Sequence, residues 1–107
     1  MDNVSNGALA ALATTVDGQG VRVLRITGEL DISSVPGVEA DLTTAIEHDP
    51  GPVVFDLSDL AFMDSSGIAM LLRAAAKTGP LTIQGASRTI RHVIEVTGLT
   101  DVLRVES

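Results

Sequence analysis

The sequence of 107 residues contains no cysteine, tryptophan or tyrosine, and only two phenylalanines. Without cysteine, the chain has no disulfide bonds, thiolate chemistry or cysteine-ligated metal sites. With so few aromatic rings, its core must be aliphatic, and nucleic-acid bases find few platforms for stacking. No apolar run approaches the roughly 20 residues of a membrane-spanning helix. The start, MDNVSNGALA, lacks the basic segment of a secretory signal, so we expect a soluble cytoplasmic protein.

Basic residues are also scarce, and the net charge of −7 argues against binding to nucleic acid or to an anionic membrane. Between Glu29 and Asp64 the chain has no lysine or arginine at all. That stretch contains nine acidic residues: Glu29, Asp31, Glu39, Asp41, Glu47, Asp49, Asp56, Asp59 and Asp64. Two interpretations remain open, namely a solvated acidic surface and a face that docks on a basic partner.

Hydrophobic periodicity predicts a single α/β domain over residues 1–107, with a flexible N-terminus at 1–7. The predicted order begins with a hairpin of strands 8–16 and 21–27, a helix capped by Ser34 and a strand at 52–57. A loop at 58–64 and a helix from Ser65 follow. The chain then continues with a strand at 81–84, a helix capped by Ser87, and a short strand or helical turn at 101–105. In such sheets, functional loops gather beyond the carboxyl ends of the strands. The loop that ends at Asp64 is therefore the expected position of a site.

The segment DSSG, residues 64–67, is a polar step between two apolar runs. A serine nucleophile would need a histidine as its base, and the chain has only His48 and His92. MDSSG also differs from the Gly-x-Ser-x-Gly elbow of hydrolases, so a serine hydrolase is a minor alternative. The chain contains no P-loop, no Gly-x-Gly-x-x-Gly and no calcium-loop spacing. We therefore expect no catalytic residue, metal or cofactor.

Two other functions fit the same segment. Asp and Ser are preferred N-cap residues, so the first possibility is that DSSG only starts a helix. A serine at a helix N-terminus also suits a phosphate, because the unpaired N–H groups and the helix dipole favour an anion there. Gly67 costs helix propensity but gives access to the backbone and allows another chain to approach closely. Both functions are compatible with one structure.

Three longer segments carry a resemblance to a known family. RITGELDISSVP, VVFDLSDLAFMDSSGIAMLL and TIRHVIEVTGLTDVLRV resemble, in order and spacing, the STAS domain of bacterial anti-sigma-factor antagonists. The similarity covers residues 8–106. It implies an α/β fold of the STAS type, which is a mixed sheet of four to five strands with three to four helices packed mainly on one face.

The resemblance also implies a function. Such a protein binds an anti-sigma-factor serine kinase to free a sigma factor, and the kinase switches it off by phosphorylating the residue after the family's aspartate. In this chain that residue is Ser65, after Asp64. A serine phosphatase restores the active form. The implied partner-binding residues are Asp31, Asp64, Ser65, Ser66, Gly67 and Ile68.

The chain departs from the family pattern at two places, which puts the identity of the partner in doubt. Ala69 stands where close relatives often have a second glycine, and KTGP is a shorter connection than many members carry. A STAS scaffold or signalling relay outside any sigma-factor pathway remains the alternative. We expect a monomer that pairs with its partner.

Overall fold

The computed structural model describes residues 10–106, so the predictions for residues 1–7 and for the first two residues of strand 8–16 lie outside the described part. The predicted hairpin is confirmed as an antiparallel pair of strands, β1 (Ala10–Val16) and β2 (Arg22–Leu30). The elements that follow are α1 (Val35–His48), β3 (Val53–Asp56), β4 (Leu60–Met63), α2 (Ser65–Thr78), β5 (Leu81–Gln84), α3 (Arg88–Glu95) and β6 (Leu103–Val105).

The strands form one mixed sheet in the order β1-β2-β3-β5-β6, with β4 paired to β2. Every pairing except that of β1 with β2 is parallel. The parallel strands β2, β3, β5 and β6 are added in one direction, so crossovers of one hand place all three helices on the same face. Burial follows this arrangement, because Leu24 and Ile26 on β2 are fully buried while Arg25 between them is exposed. The expected STAS-type α/β fold is confirmed.

Strand β4 corrects the prediction of a loop at 58–64 and brings the sheet to six strands, one more than expected. It pairs with the end of β2, which extends three residues beyond its predicted end, and Leu30 lies opposite Met63. The register shifts between Gly28 and Glu29, and Gly28 adopts a φ of 92° that favours glycine. This bulge leaves two exposed residues between Leu60 and Met63, so the alternation that identifies a strand is missing.

The apolar residues at helical spacing that predict the three helices are buried in the structure, with the exceptions of Ala45, Leu72 and Val93, which are half-buried. On α1 the buried residues are Val35, Val38, Leu42 and Ile46. Ser34 occupies the N-cap position of α1, but its side chain makes no capping hydrogen bond. Instead, its hydroxyl donates to the Glu29 carbonyl at 2.6 Å, and the Asp31 carboxylate orders the turn before the helix by accepting from the amides of Ser33 and Ser34.

The far end of α1 is held by Arg22, the one buried charged residue in the described chain. Its guanidinium donates hydrogen bonds to the carbonyls of Ala45 and Asp49 at the last turn, although the Ala45 carbonyl also accepts the Asp49 amide. A cation there also opposes the negative end of the helix dipole. Arg22 therefore fixes α1 to the sheet and with it the position of the helix start near Ser65.

Candidate functional site

The candidate site lies at the carboxyl edge of the sheet, where two parallel strands end side by side. Leu30 at the end of β2 pairs with Met63 at the end of β4, so the residues that follow, Asp31 and Asp64, leave the sheet next to each other. The Asp64 amide donates to the Leu30 carbonyl at 3.2 Å, which ties the two exits together. Each strand then leads through an aspartate into a helix. Sequence reasoning selected both aspartates, and the fold brings them to one edge.

Both aspartates use their carboxylates to organise the chain that follows. Asp31 Oδ1 accepts hydrogen bonds from the amides of Ser33 at 2.9 Å and Ser34 at 3.0 Å. Asp64 Oδ1 accepts from the amide of Ser66 at 2.8 Å, which is the N-cap contact of α2. Of the roles considered for Asp64, the cap is therefore observed. A contact of either aspartate with a partner stays a prediction.

The two serines after Asp64 have different environments. Ser65 is the first residue of α2 and is exposed, whereas Ser66 is half-buried and lines a groove between α1 and α2. A hydroxyl that enters another protein's active site must be accessible, and Ser65 meets that condition better than Ser66. The assignment of phosphorylation to Ser65 stays a prediction that this exposure supports.

Gly67 and Ile68 lie under the site, on the side of α2 that faces the core. A Cβ added at Gly67 would lie 2.4 Å from Met63 Cγ and 3.1 Å from Leu30 Cβ, so the close approach expected at this glycine comes from the protein's own sheet. Ile68 is 7% exposed and therefore offers little side-chain surface to another molecule. Their predicted partner contacts remain untested. Gly67 seats α2 on β2 and β4, and Ile68 belongs to the hydrophobic core.

A groove of about 340 Å³ opens beside the two serines, between the first turns of α1 and α2. Its walls are mostly apolar, and one end carries the ion pair of Glu39 with Arg73. The lining residues are Ile32, Val35, Pro36, Glu39, Ser66, Ala69 and Arg73. Arg73 Nε and Nη2 donate to the two Glu39 oxygens at 2.7 and 2.8 Å. This hydrogen bond from Arg73 holds the pKa of Glu39 below its usual value, and the guanidinium pKa of Arg73 is raised in turn.

The acidic stretch 29–64 is partly neutralised in the folded chain. Glu39, Asp49 and Asp59 lie next to Arg73, Arg22 and Arg25 respectively, all of which come from outside the stretch. Such pairs span 27 or more positions, so sequence spacing does not reveal them. Docking of this stretch on a basic partner stays a prediction, and it rests on the six acidic residues of the stretch that form no ion pair among the described residues.

The described residues do not bring a histidine next to Ser65, as the alternative of a serine hydrolase would require. His48 ends α1, about 20 Å along the helix from the edge that carries Ser65, and His92 is exposed on α3. Within residues 10–106, no group of three His, Asp or Glu side chains is arranged to hold a metal ion. In the same range, no helix combines the length and the apolar character needed to cross a membrane.

Sequence reasoning missed the groove and its most exposed apolar residue, Ile32. At 79% exposure, Ile32 follows Asp31 and lies outside the buried stripe that begins at Val35. An isoleucine in the polar segment LDISS, with no place in either apolar pattern, was the available signal. The Glu39–Arg73 pair left no such signal, because it depends on how two helices pack.

Comparisons with known proteins agree with this geometry. A family model described as "Mlab, STAS domain" matches residues 13–105. An anti-sigma-B factor antagonist of Staphylococcus aureus is 31% identical over 86 residues, which is 77% of this chain and 80% of that protein. The anti-sigma-F factor antagonist RsfB of Mycobacterium tuberculosis is 30% identical over 97 residues, 88% of this chain and 80% of that protein.

Solved structures show the same likeness. An anti-sigma factor antagonist from Mycobacterium paratuberculosis superposes with a TM-score of 0.78 at 25% identity, over 90% of this chain and 84% of that one. SpoIIAA in its unphosphorylated form gives 0.68 at 28% identity, over 91% and 89%. The phosphorylated form of SpoIIAA, a Bacillus cell fate determinant, gives 0.64 at 26% identity, over 91% and 92%.

Proposed function

Because the chain belongs to the STAS domain family, we propose that it is an anti-sigma-factor antagonist whose active form binds an anti-sigma-factor serine kinase and thereby frees a sigma factor. The relatives named above are antagonists of anti-sigma factors, and one of them has been solved both with and without phosphate. The kinase turns this chain off by phosphorylating Ser65, and a serine phosphatase turns it on again. This protein supplies the hydroxyl, and the kinase supplies ATP and the catalytic groups.

The observation that carries the proposal is the position of Ser65. It is exposed at the first turn of α2, held there by the Asp64 cap above a helix seated on the sheet at Gly67. Its neighbour Ser66 turns toward the groove instead. A kinase that approaches the start of α2 therefore meets the exposed Ser65 hydroxyl on a helix fixed to the sheet, which suits phosphoryl transfer.

The effect of the phosphate follows from its surroundings. Phosphorylation adds about −1.5 to −2 charges beside Asp64 and Asp31, whose carboxylates already lie at this edge. A kinase surface that fits the neutral serine must then desolvate a phosphate and accommodate it near acidic groups. A difference of about 3 kcal/mol between the two forms corresponds to binding more than a hundredfold weaker. No refolding is needed for such a switch.

The test is phosphorylation of the purified chain by its anti-sigma kinase with ATP, followed by mass spectrometry. We expect one phosphate, on Ser65, and loss of labelling in Ser65→Ala. Ser66→Ala is the matched control, since it removes the neighbouring hydroxyl, and its labelling should continue. Undiminished labelling of Ser65→Ala would refute the assignment. A chain that binds no anti-sigma factor, with or without ATP, would instead fit a STAS scaffold.

A further inference from the structure

The groove between α1 and α2 has no occupant of its own in the described chain. It begins at Ser66, one residue from the exposed hydroxyl of Ser65, and its mouth carries the exposed side chain of Ile32. Its floor includes Ala69 and its far end is the Glu39–Arg73 ion pair. The groove is therefore mostly apolar, open, and located beside the candidate site.

We propose that this groove receives an aliphatic side chain of the anti-sigma kinase, flanked on the kinase by basic residues, with Ile32 and Ala69 as the residues that determine which kinase fits. The inference rests on the proposed function and adds to it a specificity site. The groove is separate from the hydroxyl that accepts the phosphate, so it contributes to recognition and not to the transfer step.

The area that a protein partner covers supports a kinase side chain as the occupant of the groove. A specific protein–protein contact covers about 800 Å² on each partner. A kinase centred on Ser65 therefore also covers the groove that starts at the next residue. If the groove stayed empty there, its apolar walls and Ile32 would face trapped water, and the interface would lose the burial that apolar surface offers.

The charges around the groove support a basic rim on the partner. Arg73 is already paired with Glu39, so it adds no net positive charge to the groove. The carboxylates of Asp31 and Asp64 stand at the edge by which the groove opens. An apolar side chain between lysines or arginines complements this arrangement, and an acidic partner surface does not.

The first test uses a substitution that fills part of the groove. Ala69→Leu adds a side chain that occupies the space of the kinase residue, on a helix where leucine is well tolerated. The matched control is Ala76→Leu on the same helix, exposed, on the same side but about two turns away and outside the groove. The probe is the purified anti-sigma kinase that phosphorylates Ser65. We expect Ala69→Leu to raise the Kd and the KM by about tenfold or more, with kcat at saturation unchanged, and Ala76→Leu to behave as wild type.

The second test removes the apolar side chain at the mouth without touching the core. Ile32→Ser should weaken kinase binding by about tenfold, since an interface isoleucine no longer becomes buried. Val96→Ser is its control, because Val96 is 67% exposed and lies after α3, away from the groove. Melting temperatures of all four variants establish that they fold.

Each outcome has a defined meaning. If the kinase phosphorylates Ser65 and Ala69→Leu and Ile32→Ser bind as tightly as their controls, the groove proposal is overturned while the proposed function stands. If Ala69→Leu abolishes self-association of this chain in sedimentation and leaves kinase binding unchanged, a second copy is the occupant and the proposal is wrong. If no anti-sigma kinase phosphorylates wild-type Ser65, the proposed function itself fails.

Discussion

Alanine at Gly67 should destabilise the protein, whereas alanine at Gly37 should stabilise it. The two glycines form a matched pair, because each is the third residue of its helix and neither has a positive φ. Replacing glycine by alanine inside a helix contributes about 1 kcal/mol in favour of folding. At Gly37 the new Cβ meets nothing within 4 Å, so that gain is the expected result.

At Gly67 the same Cβ would lie 2.4 Å from Met63 Cγ, 3.0 Å from Met63 Sδ and 3.1 Å from Leu30 Cβ. Met63 is 3% exposed, so its side chain has little room to move. Overpacking of this kind costs about 1–3 kcal/mol, which exceeds the gain in helix propensity. We expect a net loss of about 1 kcal/mol, or a melting temperature lower by about 4–8 °C.

Urea unfolding at neutral pH measures both variants against wild type. The cause is checked in a Met63→Ala background, where the clashing Cγ and Sδ are gone and alanine at Gly67 should become stabilising. If Gly67→Ala stabilises the wild-type background as much as Gly37→Ala does, the contact between α2 and β4 is not as described. The expectation that Gly67 allows another chain to approach closely would then regain its basis.

Two further predictions concern stability. Arg22→Met should cost about 2 kcal/mol, because it removes the buried donor to the Asp49 carbonyl and one of the two donors to the Ala45 carbonyl. Arg25→Met on the same strand breaks only an exposed pair and should cost under about 1 kcal/mol. Equal losses in urea unfolding would contradict the capping role of Arg22. The pKa of Glu39 is lowered by its hydrogen bond from Arg73, so the pair stabilises the protein above the unfolded-state pKa near 4.5, and that stability is lost as the pH falls through the lower folded-state pKa. Glu39→Gln should therefore be less stable than wild type at pH 7 and approach it in strong acid, and a difference that stays constant with pH would refute this account.

The fold was largely predictable because burial on one face of the sheet gives each element a clear period. Leu24 and Ile26 alternate with residues that are less buried, and Val35, Val38 and Leu42 recur at helical spacing. Strand β4 was not predictable in this way, since the register shift leaves Ala61 without a partner on β2, and both Ala61 and Phe62 are exposed. Local pattern thus failed where tertiary pairing decided the structure.

The candidate site was also predictable only where a short segment of sequence determines it. Asp64, Ser65 and Ser66 were identified from residue type, because caps and hydroxyls are properties of a short segment. The groove was missed, since it exists only where α1 packs beside α2 and where Arg73 reaches Glu39 from 34 positions away. Gly67 and Ile68 stay predicted partner contacts, and the sequence did not reveal that they are buried on the core side of α2.

The most direct test of the central claim is the affinity of the anti-sigma kinase for the chain with and without phosphate on Ser65. The phosphorylated protein, prepared with the kinase and purified, is compared with the unmodified protein by calorimetry in the same buffer. Our account predicts that the phosphate weakens binding by more than about a hundredfold. Equal affinity of the two forms would contradict it, because the exposed serine at the start of α2 would then not be the switch.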